Sequence, residues 1–142
     1  MNELLKTAMH EYGVSETNEK TNNPIILQYF KEAGHSWIET EETAWCSAFM
    51  ISMAKRACLT HSDKLTARSW LNFGTEVEIP NLGDVVIFWR ENRLGWKGHV
   101  GIYINQIGNN INVLGGNQNN SVCIKPYIKS RLLGYRRLTS TS

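Results

Sequence analysis

The segment ETAWCSAFM puts a cysteine, Cys46, at the start of an apolar stretch with helical character. A thiol attacks as its thiolate, and the first turn of a helix favours that form because its unpaired N–H groups and dipole stabilise negative charge. The same amides, those of Cys46 and Ser47, can hold the oxyanion that forms when sulfur attacks a carbonyl. The competing reading is an inert, buried thiol.

A nucleophilic sulfur needs a base, and the chain offers His10, His35, His61 and His99. His10 belongs to the first helical stretch, and His35 and His61 lie in polar segments that suit solvated histidines. His99 opens the strand HVGIY directly after the turn GWKG. In that strand His99, Gly101 and Tyr103 share one face, while Val100, Ile102 and Ile104 share the other. Gly101 is expected to leave the histidine's face open for substrate. An imidazole base also needs a polar partner for its second nitrogen. If the strand ending LGGNQ returns antiparallel through the turn IGNN, its far end lies beside His99 and offers Asn117 or Gln118. Parity leaves both open, and Asn117 is the favoured partner.

The elements that must position these groups follow from period and punctuation. Residues 2–12 and the segment NPIILQYFKEAG read as two helices, the second capped by Asn23 with Pro24 at its first position and Gly34 as its stop. The third helix carries Cys46, with Thr43 as cap and Phe49, Met50, Met53, Ala54 and Ala57 as its buried face. SDKLTARSWLNFG reads as a fourth, capped by Ser62 or Asp63. After Gly74 the period shortens to that of strands, in GDVVIFWR, GHVGIYINQ, NINVLGGNQ, SVCIKPY and RLLGYRRL. Helices followed by about five antiparallel strands imply one α+β domain over residues 1–142. Residues 1–40 form its helical part, and 43–142 a helix plus sheet core.

Composition is that of a packed globular domain: 142 residues, 42% apolar and 10% aromatic. Residues 1–42 hold eight acids and three bases, the remainder five acids and twelve bases, so an overall +2 hides a basic sheet half. The basic tail, with Lys125, Lys129, Arg131, Arg136 and Arg137, lacks the stacked aromatics of a nucleic-acid face, and no nucleic-acid partner is expected. No apolar run approaches the ~20 residues of a membrane span, and no targeting signal is read. Three cysteines, Cys46, Cys58 and Cys123, leave at least one thiol free. Cys58, twelve positions along the same helix, and Cys123 in a strand read as packing residues. The Cys58 and His61 pair has no second pair to complete a metal site.

Taken together, TAWCSAF, ARSWLNFG, GDVVIFWR, GWKGHVGIYI, VLGGNQNN and SRLLGYRR, with EYGVSE and NNPIILQYF before them, resemble the small peptidoglycan hydrolases related to NlpC-type peptidases and CHAP amidases. The resemblance runs from about residue 10 to residue 138. It implies a reduced papain-like fold and a cysteine hydrolase acting on an amide in or at the stem peptide of bacterial cell wall, with no cofactor and no metal. Cys46 takes the place of the nucleophile, His99 of the base and Asn117 of the polar third residue, with Gln118 as the alternative. Two positions depart from the wider superfamily: Trp45 stands where an Asp commonly precedes the nucleophile, and Gly115 or Gly116 where many CHAP domains carry a Glu.

Trp45, Trp70, Trp89 and Trp96 are candidates to wall a substrate groove, core packing being the alternative for each. The implied setting is synthesis in the cytoplasm without a signal peptide and action on the periplasmic wall after release or delivery, as a phage lysin, a tail hydrolase or an antibacterial effector with a cognate inhibitor. The rival readings are a non-catalytic wall-binding module of the same fold, and a thiol amidase acting on another peptide-like substrate.

Overall fold

The computed structural model describes residues 2–16, 23–35 and 44–141. It is an α+β fold in which helices cover one face of an antiparallel sheet.

Helix α1 spans Glu3–Met9 and is capped by Asn2, whose side chain accepts the Leu5 N–H at 2.8 Å. Leu4, Leu5 and Ala8 are buried, whereas Met9, at the last turn, is exposed. Helix α2, Pro24–Glu32, starts as its sequence predicts, with Asn23 accepting from the Ile25 N–H and Pro24 where no donor is needed. It buries Ile26, Tyr29 and Phe30. Helix α3 spans Ala44–Arg56 and is the central one, with Phe49, Met50, Met53 and Ala54 fully buried. Thr43, its expected cap, lies outside the described residues. Cys58 falls beyond the end of α3 in a left-handed conformation (φ 59°) and is exposed, not packed as its spacing suggested.

One polar cluster fixes α3 against its neighbours. Arg56 pairs with Glu32 at 2.7 Å, Ser52 donates to the same carboxylate, and the Tyr29 hydroxyl donates to Glu11 just past α1. Burial pushes the Glu32 carboxyl up, but hydrogen bonds from Arg56, Ser52 and Gln28 outweigh it and hold it at about 2.

The expected fourth α-helix is a shorter 3-10 helix, Ala67–Asn72, preceded by Thr66. Ser62 caps nothing there; its hydroxyl accepts the Lys64 N–H and bonds the Ser69 hydroxyl, which ties down the preceding loop. Trp70 is fully buried, and its indole N–H donates to the Ser47 hydroxyl at 2.9 Å, joining this segment to the start of α3.

The strands are β1 (Thr75–Val77), β2 (Val85–Trp89), β3 (Gly98–Ile107), β4 (Asn110–Gln118), β5 (Ser121–Ile128) and β6 (Leu132–Arg137), in the order β1-β6-β2-β3-β4-β5. The added member relative to the five expected is β1, whose three residues are too short to show a period. The two faces separate as alternation requires. Val85, Ile87, Val100, Ile102, Leu114 and Val122 join the core beneath the helices. Val86, Phe88, Ile111, Val113 and Tyr135 form a second, smaller cluster on the other side. The β3–β4 hairpin turns at Gly108 and Asn109, between the paired Ile107 and Asn110.

Candidate active site

Strand β3 brings His99 opposite Phe88 of β2. On the other flank, pairing with β4 begins only at Ile102–Leu114, so the first residues of β3 stand outside that ladder. Cys46, third residue of α3, approaches this opening from the helical side. Its sulfur takes a hydrogen bond from the backbone N–H of Val100, the residue after His99.

The His99 ring stacks on Tyr127 with centroids 4.8 Å apart, and Tyr127 stacks in turn on Phe88 at 5.0 Å. Tyr127 also feels the charge of Cys46, and the charge of Arg90 reaches both Cys46 and His99. Thiol and imidazole therefore both lie within reach of the Arg90 charge, Cys46 packed in the core beneath the helices and His99 stacked against Tyr127.

The partner of His99 is Gln118, its Oε1 2.8 Å from His99 Nε2. Gln118 is buried, and its amide nitrogen donates to the carbonyls of Val113 (3.0 Å) and Cys123 (2.6 Å). With both amide hydrogens directed at carbonyls, Oε1 can only accept, so the proton sits on His99 Nε2 and the lone pair on Nδ1. In that tautomer the Nδ1 lone pair is able to accept a proton.

Asn117, the expected partner, gives way to its neighbour for a backbone reason. Gly115 does face His99: a Cβ there would meet Gln118 Oε1 at 2.6 Å and His99 Nε2 at 3.3 Å. Strict alternation would then bring Asn117 to the same face. The β4–β5 register slips between Gly115 and Gln118, and Asn117 adopts a left-handed conformation (φ 58°). That bulge inverts the parity and hands the position to Gln118. Asn117 lines the cleft instead, with Asn119 and Asn120, which are also left-handed. Asn is among the few residues that adopt this conformation readily, so GGNQNN carried the signal for a bulge.

Electrostatically the thiol is not the exposed, acidic sulfur that its helix position suggested. Cys46 is 1% exposed, and burial pushes its pKa up to about 11, against the pull of the Val100 amide, the Arg90 charge and the amides of Ser47 and Cys46. Burial likewise takes His99 down to about 4; the Gln118 hydrogen bond opposes that shift, and Arg90 and Lys125 add to it. Burial thus disfavours the charged form of both groups.

His99 opens onto a cleft of about 360 Å³, walled by Trp89, Arg90, Lys125, Tyr127, Arg131 and the three asparagines. Of the tryptophans considered for the groove, Trp89 lines it. Trp70 is core, Trp45 is buried against Tyr29 (centroids 6.3 Å apart), and Trp96 is 61% exposed outside the cleft lining. Nor does Gly101 open the face, since a Cβ there would meet the Val113 side chain. Tyr127 and Lys125 were missed in the sequence although their parity in β5, opposite Ile111 and Val113 of β4, assigns them to this face once the pairing is known. Among the described residues no group of three or more His, Cys, Asp or Glu could hold a metal ion.

No protein-family model matches the chain, and no curated protein matches it. Eight chains of solved structure do. One is described as similar to lipoprotein of the NLP/P60 family, from Staphylococcus aureus subsp. aureus Mu50, with a TM-score of 0.52 and 16% identity. The match covers 95% of this chain and 40% of that one, so the chain spans less than half the length of the solved protein it resembles. The likeness is one of fold: helices on an antiparallel sheet, as in an NlpC/P60 protein.

Proposed function

We propose that this chain is a cysteine hydrolase that cuts an amide bond in or at the stem peptide of bacterial peptidoglycan. The observation that carries this reading is the clamped Gln118, which fixes the tautomer of a buried histidine whose neighbouring peptide N–H contacts a cysteine at a helix start. Any buried imidazole N–H needs an acceptor, and here that acceptor is itself oriented by two further hydrogen bonds.

The chemistry follows from two neutral groups. As sulfur bonds to the carbonyl carbon, the thiol proton passes to His99 Nδ1, and the N–H groups of Cys46 and Ser47 hold the oxyanion. Collapse of the tetrahedral species breaks the C–N bond, and the leaving amine takes the proton from His99. A water molecule, deprotonated by His99, then splits the thioester, returning thiol and a carboxylic acid. The cell wall is the partner in this reading, reached after release or delivery, and an effector of this kind would require a cognate inhibitor in its producer.

The near-complete burial of Cys46, with its pKa at about 11, favours a second reading, a wall-binding module that kept the fold without turnover. Cys46→Ala separates the two. Purified cell walls incubated with the unaltered protein should release new amino groups, the variant should release them at least about a hundredfold more slowly while binding walls equally well, and undiminished release by the variant refutes the hydrolase. If neither protein releases amino groups and both bind, the module reading stands.

A further inference from the structure

The hydrogen bond from His99 to Gln118 leaves one rotation of the imidazole weakly fixed. In a histidine, Nε2 lies close to the Cβ–Cγ axis, so turning the ring about χ2 hardly moves it, and χ2 of His is a broad torsion. Nδ1 lies well off that axis and swings through an arc on the same rotation. Gln118 thus sets the tautomer, and a second contact must set the plane of the ring and the direction of the Nδ1 lone pair.

Tyr127 makes that contact. Its ring and the imidazole lie 4.8 Å apart at their centroids and within 16° of parallel. Tyr127 is itself held from several sides. The β5 register sets it opposite Ile111, where it packs with the smaller cluster on the far side of the sheet from the helices. There it stacks on Phe88 at 5.0 Å and 21°, and the Lys125 ammonium lies 5.6 Å from its ring centroid. Resting on the reading of His99 as a base, we propose that Tyr127 is its positioning residue, a flat support that sets the plane of the imidazole and hence where Nδ1 points.

The role belongs to the ring of Tyr127 and not to its hydroxyl. Turning the imidazole about χ2 would drive one of its edges into the stacked face, so the flush contact selects one angle. The same contact covers a face of the imidazole and adds to the burial that takes His99 down to about 4; the Gln118 bond opposes that shift, while Arg90 and Lys125 add to it. Removing the ring should therefore change the orientation and the hydration of His99 together, with Gln118 still clamped by Val113 and Cys123. Lost packing alone would lower stability without that pairing.

The test compares Tyr127→Phe, which keeps the ring, with Tyr127→Leu and Tyr127→Met, which fill the space without one, each checked for folding by circular dichroism. By NMR, the His99 titration midpoint should rise by about one pH unit or more in the Leu and Met variants and stay where it is in the Phe variant. On purified cell walls, kcat of the Leu and Met variants should fall at least about tenfold with the apparent KM within about threefold, and Tyr127→Phe should match the unaltered protein within about threefold. The unaltered protein supplies an arm that no folding failure removes: nuclear Overhauser contacts from the carbon-bound ring protons of His99 to the Tyr127 ring, whose absence overturns the proposal. A His99 midpoint and kcat that both survive the Leu and Met substitutions overturn it too, as does a Phe variant damaged as much as those two. Turnover indifferent to all three substitutions sinks this role and spares the hydrolase. Absent turnover in every protein sinks the hydrolase, and the NMR titration then decides the role of Tyr127 by itself.

Discussion

Gln118 accepts the Nε2–H of His99 over 2.8 Å while both hydrogens of its own amide are committed to the carbonyls of Val113 and Cys123. Three partners thus fix one side chain, and that side chain fixes which nitrogen of the imidazole carries the proton.

Gln118→Glu exposes this relationship. A carboxylate at that distance attracts the imidazolium, so the His99 pKa should climb from about 4 to above its ordinary value, as followed by NMR titration of the ring protons. The carbonyls of Val113 and Cys123 lose their donor, which should cost about 1–3 kcal/mol each in denaturant unfolding. A His99 resonance that still titrates near pH 4 would exclude Gln118 as its controlling partner.

The same burial makes stability depend on pH. In the unfolded chain His99 binds its proton near 6.5, and in the fold only near about 4. Between those values the unfolded state holds more protons, so stability rises with pH. The contribution of His99 is complete above about pH 6.5 and lost as pH falls through 4, a difference of about 3 kcal/mol. His99→Gln should flatten this limb of the curve of urea midpoint against pH. It should spare the further loss below pH 4.5, which belongs to Glu32. Cys46 acts in the opposite sense, its raised pKa giving stability that is full below 9.0 and lost as pH rises through about 11.

Ser47 separates architecture from chemistry. Its hydroxyl donates to the Lys64 carbonyl at 2.7 Å and accepts from Trp70, while the function proposed for it resides in its backbone N–H. Ser47→Ala strands a buried indole N–H and should lower stability by about 1–3 kcal/mol, visible as a reduced melting temperature. Turnover per folded molecule should stay within about threefold, because no oxyanion donor is removed. A loss of a hundredfold with the fold intact would mean that the hydroxyl itself takes part.

Much of this was legible in the sequence because the signals were local. Asn23 and Pro24 begin α2, the turn at Gly108 and Asn109 joins β3 to β4, and alternation in HVGIY sends Val100 and Ile102 to the helices. What escaped depended on tertiary context. The 3-10 form of Ala67–Asn72 follows from docking Trp70 onto Ser47, and the depth of Cys46 from how closely α3 packs on the sheet. The choice of Gln118 over Asn117 turned on one backbone dihedral angle that alternation alone cannot supply.

Beyond Trp89 the chain leaves the cleft wall in a loop to which one side chain, Arg68, makes three hydrogen bonds. Arg68 donates to the carbonyls of Asn92 (2.6 Å), Arg93 (2.7 Å) and Lys97 (2.8 Å). These acceptors are dipoles that neither titrate nor gather counterions, so the anchor should be indifferent to brine that would blunt the cations in the cleft. High ionic strength should therefore weaken the Glu91–Lys97 pair (2.6 Å) across the same loop while leaving the Arg68 anchor in place.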